Sequence, residues 1–484
     1  MKLTLGLFII LILISSTLIW NLKKSNPMEC SDCNVIVISL TNLRKDNLHL
    51  YGYKKNTTPN IDIFFKDSLK FNNAFAPASL TFTDSISLFY SLHPVKHNFM
   101  NRNDRDRVMP FIKQNKSLPK ILKDNGYMTA AFVSDEDYSY ENGIGDQFDY
   151  YFDKKYYESY GILFKPWQYN VGTKDLVKPA MKWLENNYQK KFFLFLQAYD
   201  VHCPYTPEKR FVDVKLEKMA NPKIDFNSCF ITLDAVQSKT INNKKYFELY
   251  DWHEFLNKNQ QGPVQFSQVD IDYLISRYDS EISQADFYLK ELIEKIKDLN
   301  LMKNTIIVFM SEHGDYLGEN GYFMKAAVTA EGNLHNSNLG FPFLIKHPKI
   351  NKMINYDHIF QLIDFSPTLL GMLGLDIPRI MQGKDYAEVV LKNEPMELFA
   401  FASASRKRDF LNNGIFTSEA IQNKKWKLTR FEHLEFNKKS LGVEYKLINL
   451  ENDKAESFDQ SKNEIEIKNQ LIEKLDEKRS YYKK

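Results

Sequence analysis

Short apolar runs alternate along this chain with longer amphipathic stretches, and the two periods set the expected elements. Five runs read as buried strands: 34–40, 127–133, 192–198, 305–310 and 341–346. Between them, 117–125 reads as a helix capped by Ser117 and stopped at Gly126, and 174–187 as an amphipathic helix. The longest helical pattern covers 270–299. This alternation predicts the α/β class: a large mixed, mostly parallel sheet flanked by helices on both faces. Segment 208–268 is polar, aromatic and without period, so it reads as an irregular insertion over the sheet. Beyond about 395 the alternation fades, 424–450 reads as short strands, and 460–482 as a charged helix. The expected organisation is therefore a body at 25–394, a small α+β subdomain at 395–484, and a separate N-terminal segment at 1–24.

That N-terminal segment changes the picture of location. From Leu3 to Trp20 there is no charge, and Lys23 and Lys24 follow. The stretch is long enough to cross a bilayer. No small-x-small cleavage site follows it, which favours an uncleaved anchor over a cleaved signal. Lysines on both sides leave orientation by charge undecided. Cys30 and Cys33 stand just beyond it and directly before a strand, so a local disulfide in an oxidising compartment is expected. The bulk of the chain is thus expected outside the cytoplasm, with the membrane as a partner through residues 1–24.

Composition adds two limits. Hydrophobic residues at 43% and aromatics at 14% supply a large core, and 64 basic against 61 acidic residues leave a net charge of only +3. Balance of that kind gives no basic face for nucleic acid, and none is expected as a partner.

Candidate chemistry sits where two of the strand runs end. The run at 305–310 leads into Ser311, Glu312, His313, Gly314 and Asp315; the run at 34–40 leads into Thr41, Asn42, Leu43, Arg44, Lys45 and Asp46. In an open α/β sheet ligands collect at strand ends, and a Glu beside a His suits a divalent cation. Two such ends, far apart in sequence, suggest one composite site.

An ordered set of further motifs extends this: Tyr51-Gly52-Tyr53, Thr58-Pro59-Asn60-Ile61-Asp62, Leu80-Thr81-Phe82-Thr83-Asp84-Ser85, Leu92-His93-Pro94, Asp200-Val201-His202, Gly318-Glu319 with Lys325, and Asp364-Phe365-Ser366-Pro367. In this order they resemble the sulfatase family within the alkaline phosphatase superfamily, over roughly residues 34–460. The resemblance implies that fold, and hydrolysis or transfer of a sulfate or phosphate ester assisted by a divalent metal ion (Ca, Mg, Mn or Zn). It implies Thr81 at the nucleophile position, Thr41, Asn42, Glu312 and His313 at metal-ligand positions, and His202 and Lys325 on ester oxygens. The substrate class is a small-molecule, glycan or lipid ester.

The departures carry weight. Family nucleophiles are oxidised to formylglycine within Cys-x-Pro-x-Arg, whereas residues 81–85 hold neither Cys, Pro nor Arg, so formylglycine is not expected. A Thr hydroxyl can nonetheless act as a nucleophile when activated. Thr41 replaces a family carboxylate, which weakens a site for a hard cation. Asp84 is a candidate substitute. Two expectations stand: a membrane-anchored ester hydrolase or transferase using Thr81, and a catalytically silent sulfatase-like binding or scaffold protein.

Overall fold

The structure, a computed structural model, describes residues 26–99, 104–153, 171–231, 239–241, 244–251, 264–324, 334–407, 415–435 and 439–484. The expected anchor at 1–24 and Lys325 lie outside the described residues. Among the described residues no helix is long and apolar enough to cross a membrane.

Eight strands make the central sheet: β1 (Asn34–Leu40), β2 (Leu69–Phe75), β3 (Met128–Val133), β4 (Tyr150–Asp153), β5 (Phe192–Ala198), β6 (Thr305–Met310), β7 (Phe343–Lys346) and β8 (Ile354–Gln361). Their order across it is β8-β2-β7-β6-β1-β5-β3-β4. Within it β7 runs antiparallel to β6 and β2, and the other pairings are parallel. The mixed, mostly parallel sheet expected from the alternation is therefore present.

Both faces of β1 are buried, and its side chains divide by parity. Val35 and Val37 join a core with Ile86 and Phe89 of α1 (Thr81–Tyr90) and Leu118 and Leu122 of α2 (Leu118–Asp124). Ile36, Ile38 and Leu40 face the other core, with Leu176 and Leu184 of α3 (Thr173–Asn187) and Leu274 and Ile282 of α4 (Gln268–Asp298). Each fully buried Val, Leu or Ile contributes about 1.5–3 kcal/mol relative to exposure. Ser117 caps α2 by accepting from the Lys120 amide, as the sequence predicts. The long α4 starts at a capping box: Ser267 and Asp270 bond each other's backbone amides.

The C-terminal part is an antiparallel sheet of β9 (Ala400–Lys407), β10 (Ile415–Gln422), β11 (Trp426–Leu434) and β12 (Ser440–Asn449). Helix α5 (Ile465–Lys483) lays Leu471, Leu475 and Tyr482 on Phe401, Ile421, Leu428 and Leu447 of that sheet. One of its ties to the main body is polar and buried. The Lys427 ammonium donates to Glu456 Oε2 at 2.8 Å, to Asn336 Oδ1 at 3.3 Å and to the Leu334 carbonyl.

The sequence reading needs correction in two places. The insertion is not irregular throughout: 230–231, 239–241, 244–251 and 264–267 form a small sheet of their own. Strands β2, β4 and β8 of the central sheet, and β9 and β10 of the C-terminal sheet, are also strands where the sequence reading has none. Leu69–Phe75 and Ile354–Gln361 lie at or near the sheet edge and mix buried apolar positions with part-exposed polar ones, so no apolar run marks them.

Candidate active site

The register of the central strands assembles the site. Ser39 of β1 faces Met310 of β6 and Gln197 of β5, so Thr41 and Glu312 emerge side by side, each two residues past the Ser39–Met310 pair. Val133 of β3 faces Gln197, which brings Asp135 to the same edge from the other side of β5.

Thr41 is the hub. Its hydroxyl donates to Glu312 Oε1 at 2.7 Å and accepts from the Gln197 side-chain amide. Ser39 Oγ donates to the second Glu312 oxygen at 3.2 Å, and Asp135 Oδ2 stands 3.4 Å from Thr41 Oγ1. These groups are buried; Thr41, Gln197 and Glu312 have no measurable exposure.

Asn42 takes the left-handed conformation, φ 63°, which Asn tolerates better than most residues. Its amide donates to Asp315 Oδ2 at 3.0 Å, an oxygen that also accepts from the Tyr205 hydroxyl at 3.1 Å. Burial and the Asp315 charge hold the Tyr205 phenol well above its ordinary pKa. Behind this, Arg44 is clamped by Glu319 at 2.6 Å and by Asp46. Burial lowers the Arg44 pKa, but those two carboxylates outweigh it and hold the guanidinium charged.

Thr81 opens α1, a ten-residue helix whose positive N-terminal end favours negative charge on an adjacent oxygen. Its Oγ1 lies 3.4 Å from His313 Nε2. His313 Nδ1 lies 2.8 Å from the Gly314 carbonyl, which can only accept. Nδ1 therefore carries a proton, and in the neutral ring Nε2 is the acceptor for the Thr81 hydroxyl. Gly314 itself is needed: a Cβ there would collide with the Ser337 carbonyl.

Of the residues expected from sequence, Thr41 and Glu312 touch, as do Thr81 and His313, while Asn42 turns to Asp315. His202 follows β5, with Nδ1 2.6 Å from the Cys203 carbonyl and its ring stacked on Tyr199 at 4.3 Å. Gln197, Asp135, Asp315 and Tyr205 were not singled out as site residues. Gln197 had a signal, as the one amide in an apolar strand run.

The implied metal was tested against this donor set. The expected positions offer one carboxylate (Glu312), one imidazole (His313) and two neutral side chains, and Glu312 already accepts two hydroxyls. Among the described residues no group of three or more His, Cys, Asp or Glu is gathered to hold a metal ion. The expected four residues do not by themselves fit a tightly held divalent cation.

Comparison with known proteins settles the family. A family model described as Sulfatase matches residues 33–375, more than half of the chain. The chain belongs to the sulfatase family. A second model, N-sulphoglucosamine sulphohydrolase C-terminal, matches residues 318–481. A protein named Sulfatase from Formosa agariphila is 24% identical over 411 residues, covering 78% of this chain and 76% of its own length. An N-acetylglucosamine-6-O-sulfatase from Bacteroides thetaiotaomicron is 23% identical over 423 residues, covering 76% of this chain and 73% of its own. Two solved structures share the fold at a TM-score of 0.65. One is a protein in complex with its substrate D-glucosamine-2-N,6-O-disulfate, at 17% identity, covering 93% of this chain and 98% of that one. The other is a phosphonate monoester hydrolase of Agrobacterium radiobacter, at 15% identity, covering 93% and 96%. This sulfatase-family chain thus keeps the sheet of its structural neighbours.

Proposed function

We propose that this chain is a membrane-anchored, extracytoplasmic hydrolase of sulfate esters on saccharides, with Thr81 as nucleophile and His313 as its base. The observation that carries the reading is the Thr81 Oγ1 to His313 Nε2 approach of 3.4 Å at the N-terminus of α1. In the reaction Thr81 oxygen attacks sulfur and its proton passes to Nε2. The bond from sulfur to the sugar oxygen breaks, and that oxygen takes the proton from His313. Water then attacks the Thr81 sulfate, giving its proton to Nε2, and Thr81 recovers one on release of sulfate. The N-terminal amides of α1 favour the charge that develops on the ester oxygens. His202 and Lys325 are assigned to those oxygens by their motif positions. The names of the glucosamine-sulfate relatives support a saccharide substrate, and the phosphonate hydrolase supports a phosphate-type ester as the second choice. Disulfides Cys30–Cys33 and Cys203–Cys229 support an oxidising compartment, and the uncharged residues 3–20 support an anchor.

A second reading, a catalytically silent binding protein, is favoured by the neutral Thr41 and by the two hydroxyls holding Glu312. Sulfate release by the purified full chain from a panel of sulfated mono- and disaccharides separates the two. The hydrolase reading requires turnover that Thr81→Ala abolishes and His313→Gln reduces at least a hundredfold. Turnover unaffected by Thr81→Ala refutes the assigned nucleophile. A folded wild type that binds the saccharides without cleaving any selects the silent reading.

A further inference from the structure

The C-terminal sheet turns one face to the main body and the other to α5, and α5 covers only part of that second face. Ala400, Ala402 and Ala404 of β9 join the core of the main body. Phe401, Ile421, Leu428 and Leu447 form one cross-strand row on the opposite face and take the apolar side of α5. The next row on that face is Ser403, Glu419 and Arg430, and the row after it is Ser405, Thr417 and Glu432. These polar rows, the end of α5, and Val95 with Asn98 enclose an open cleft of about 430 Å³. The cleft shares no residue with the strand-end site.

Its lining is arranged for a polar ligand. The Ser403 hydroxyl is at the cleft, belongs to a residue only 2% exposed, and has no hydrogen-bond partner among the described residues. A buried hydroxyl left in that state costs about 1–3 kcal/mol, which a ligand oxygen would offset. One wall is fixed: Arg479 forks Glu419 through Nε and Nη2, and its Nη1 donates to Asp476 at 2.6 Å. Arg430, by contrast, commits only Nη2, to Glu432 at 2.8 Å, while its Nη1 stands 3.6 Å from Glu419. Its Nε and Nη1 make no hydrogen bond among the described residues. Lys483 is exposed at the rim and has no ion pair among them.

The donors and acceptors divide into two sets. Ser403, Ser405 and Thr417 hydroxyls and the Glu432 carboxylate match the hydroxyls of a sugar, and the uncommitted donors of Arg430 and Lys483 match one anionic group. The volume lies within the usual range for small-molecule sites, about 300–1,000 Å³.

We infer that this cleft is a second saccharide site, which takes a sulfated disaccharide with its sulfate on Arg430 and Lys483 and its hydroxyls on Ser403 and Glu432. The choice of sulfate as the anionic group rests on the hydrolase reading above; the cleft and its uncommitted donors do not.

Calorimetric titration tests this on the purified full chain carrying Thr81→Ala, which prevents cleavage, with a sulfated disaccharide and its unsulfated counterpart. Adding Arg430→Gln and Lys483→Gln should remove one bound saccharide per chain. Any saccharide that still binds belongs to the strand-end site, so failure of the hydrolase reading and failure of this one are separate results. The unsulfated disaccharide should bind the cleft at least tenfold more weakly. Ser403→Val exchanges an unpartnered hydroxyl for a methyl, so it should leave the unfolding midpoint unchanged or higher while weakening saccharide binding at least tenfold. A merely structural role for Ser403 would not separate those two readouts, and this variant supplies the result if the double substitution fails to fold. No binding to the parent, equal binding in the parent and these variants, or equal affinity for the two disaccharides overturns the proposal.

Discussion

Replacing Thr41 with valine removes one oxygen and little else, because the two side chains are nearly isosteric. The hydroxyl donates to Glu312 Oε1 at 2.7 Å and accepts from Gln197, and all three groups are inaccessible to water. A hydrogen bond to a charged group contributes about 1.5–3 kcal/mol, and a buried amide left without its acceptor costs about 1–3 kcal/mol. Burying a methyl in place of the hydroxyl returns roughly 1 kcal/mol. The net expectation for Thr41→Val is a loss of about 2–4 kcal/mol. At about 2 °C per kcal/mol for a large domain, the unfolding midpoint should fall by about 4–8 °C. Thr41→Ser keeps the oxygen and loses a methyl, so it should cost only about 1 kcal/mol. Differential scanning calorimetry of the three proteins at pH 7 and without divalent cations reads this directly. A valine variant as stable as wild type, with serine the less stable of the two, would refute the claim that the Thr41 hydroxyl is the hub that holds Glu312 and Gln197.

Other tests follow from the same contacts. The His93 and His97 imidazoles are pushed down to about 3 by burial, so the fold holds them neutral. Their stabilising contribution is present above the unfolded value near 6.5 and is lost as pH falls toward 3; His93→Gln should flatten the acid limb of stability measured by urea melts between pH 7 and 4. Burial raises the Asp364 carboxyl to about 7, the opposite sign: its contribution is largest below the unfolded value near 3.8 and is lost as pH rises through 7. Asp364 accepts from the Gln361 and Lys384 amides through different oxygens, so Asp364→Asn, whose NH₂ group must face one donor, should cost about 1–3 kcal/mol by chemical denaturation. Lys427→Met leaves Glu456 buried beside an uncharged chain and should cost about 3 kcal/mol, with part recovered in Lys427→Met/Glu456→Leu, read by thermal melts.

The central strands were legible because β1, β5 and β6 are buried on both faces and so appear as unbroken apolar runs, whose ends point to the site. Thr81 and Glu312 were legible through motif order. Asp135 was not: it lies on a loop, and only the register of β3 against β5 brings it to Thr41. Tyr205 is likewise an ordinary aromatic in one dimension, and its meaning depends on the Asp315 carboxylate that its hydroxyl meets. The strands at 400–407 and 415–422 were not visible, since buried Ser403, Ser418 and Gln422 break up their apolar positions.

Strand β1 sits at the middle of the sheet, yet its partner β6 lies far downstream, and Thr41 meets Glu312 across a separation of 271 residues. At a synthesis rate of about 5–20 residues per second, roughly 15–50 s pass between the emergence of the two strands. Through that interval Val35, Ile36, Val37 and Ile38 form a charge-free, β-branched segment with no ladder on one side, the kind of segment that pairs with other chains. Time, more than final stability, is then the hazard this topology sets for a growing chain. A holding factor that covers residues 34–40 until Thr305–Met310 arrives would raise the yield of folded protein while leaving the melting temperature of the finished molecule unchanged.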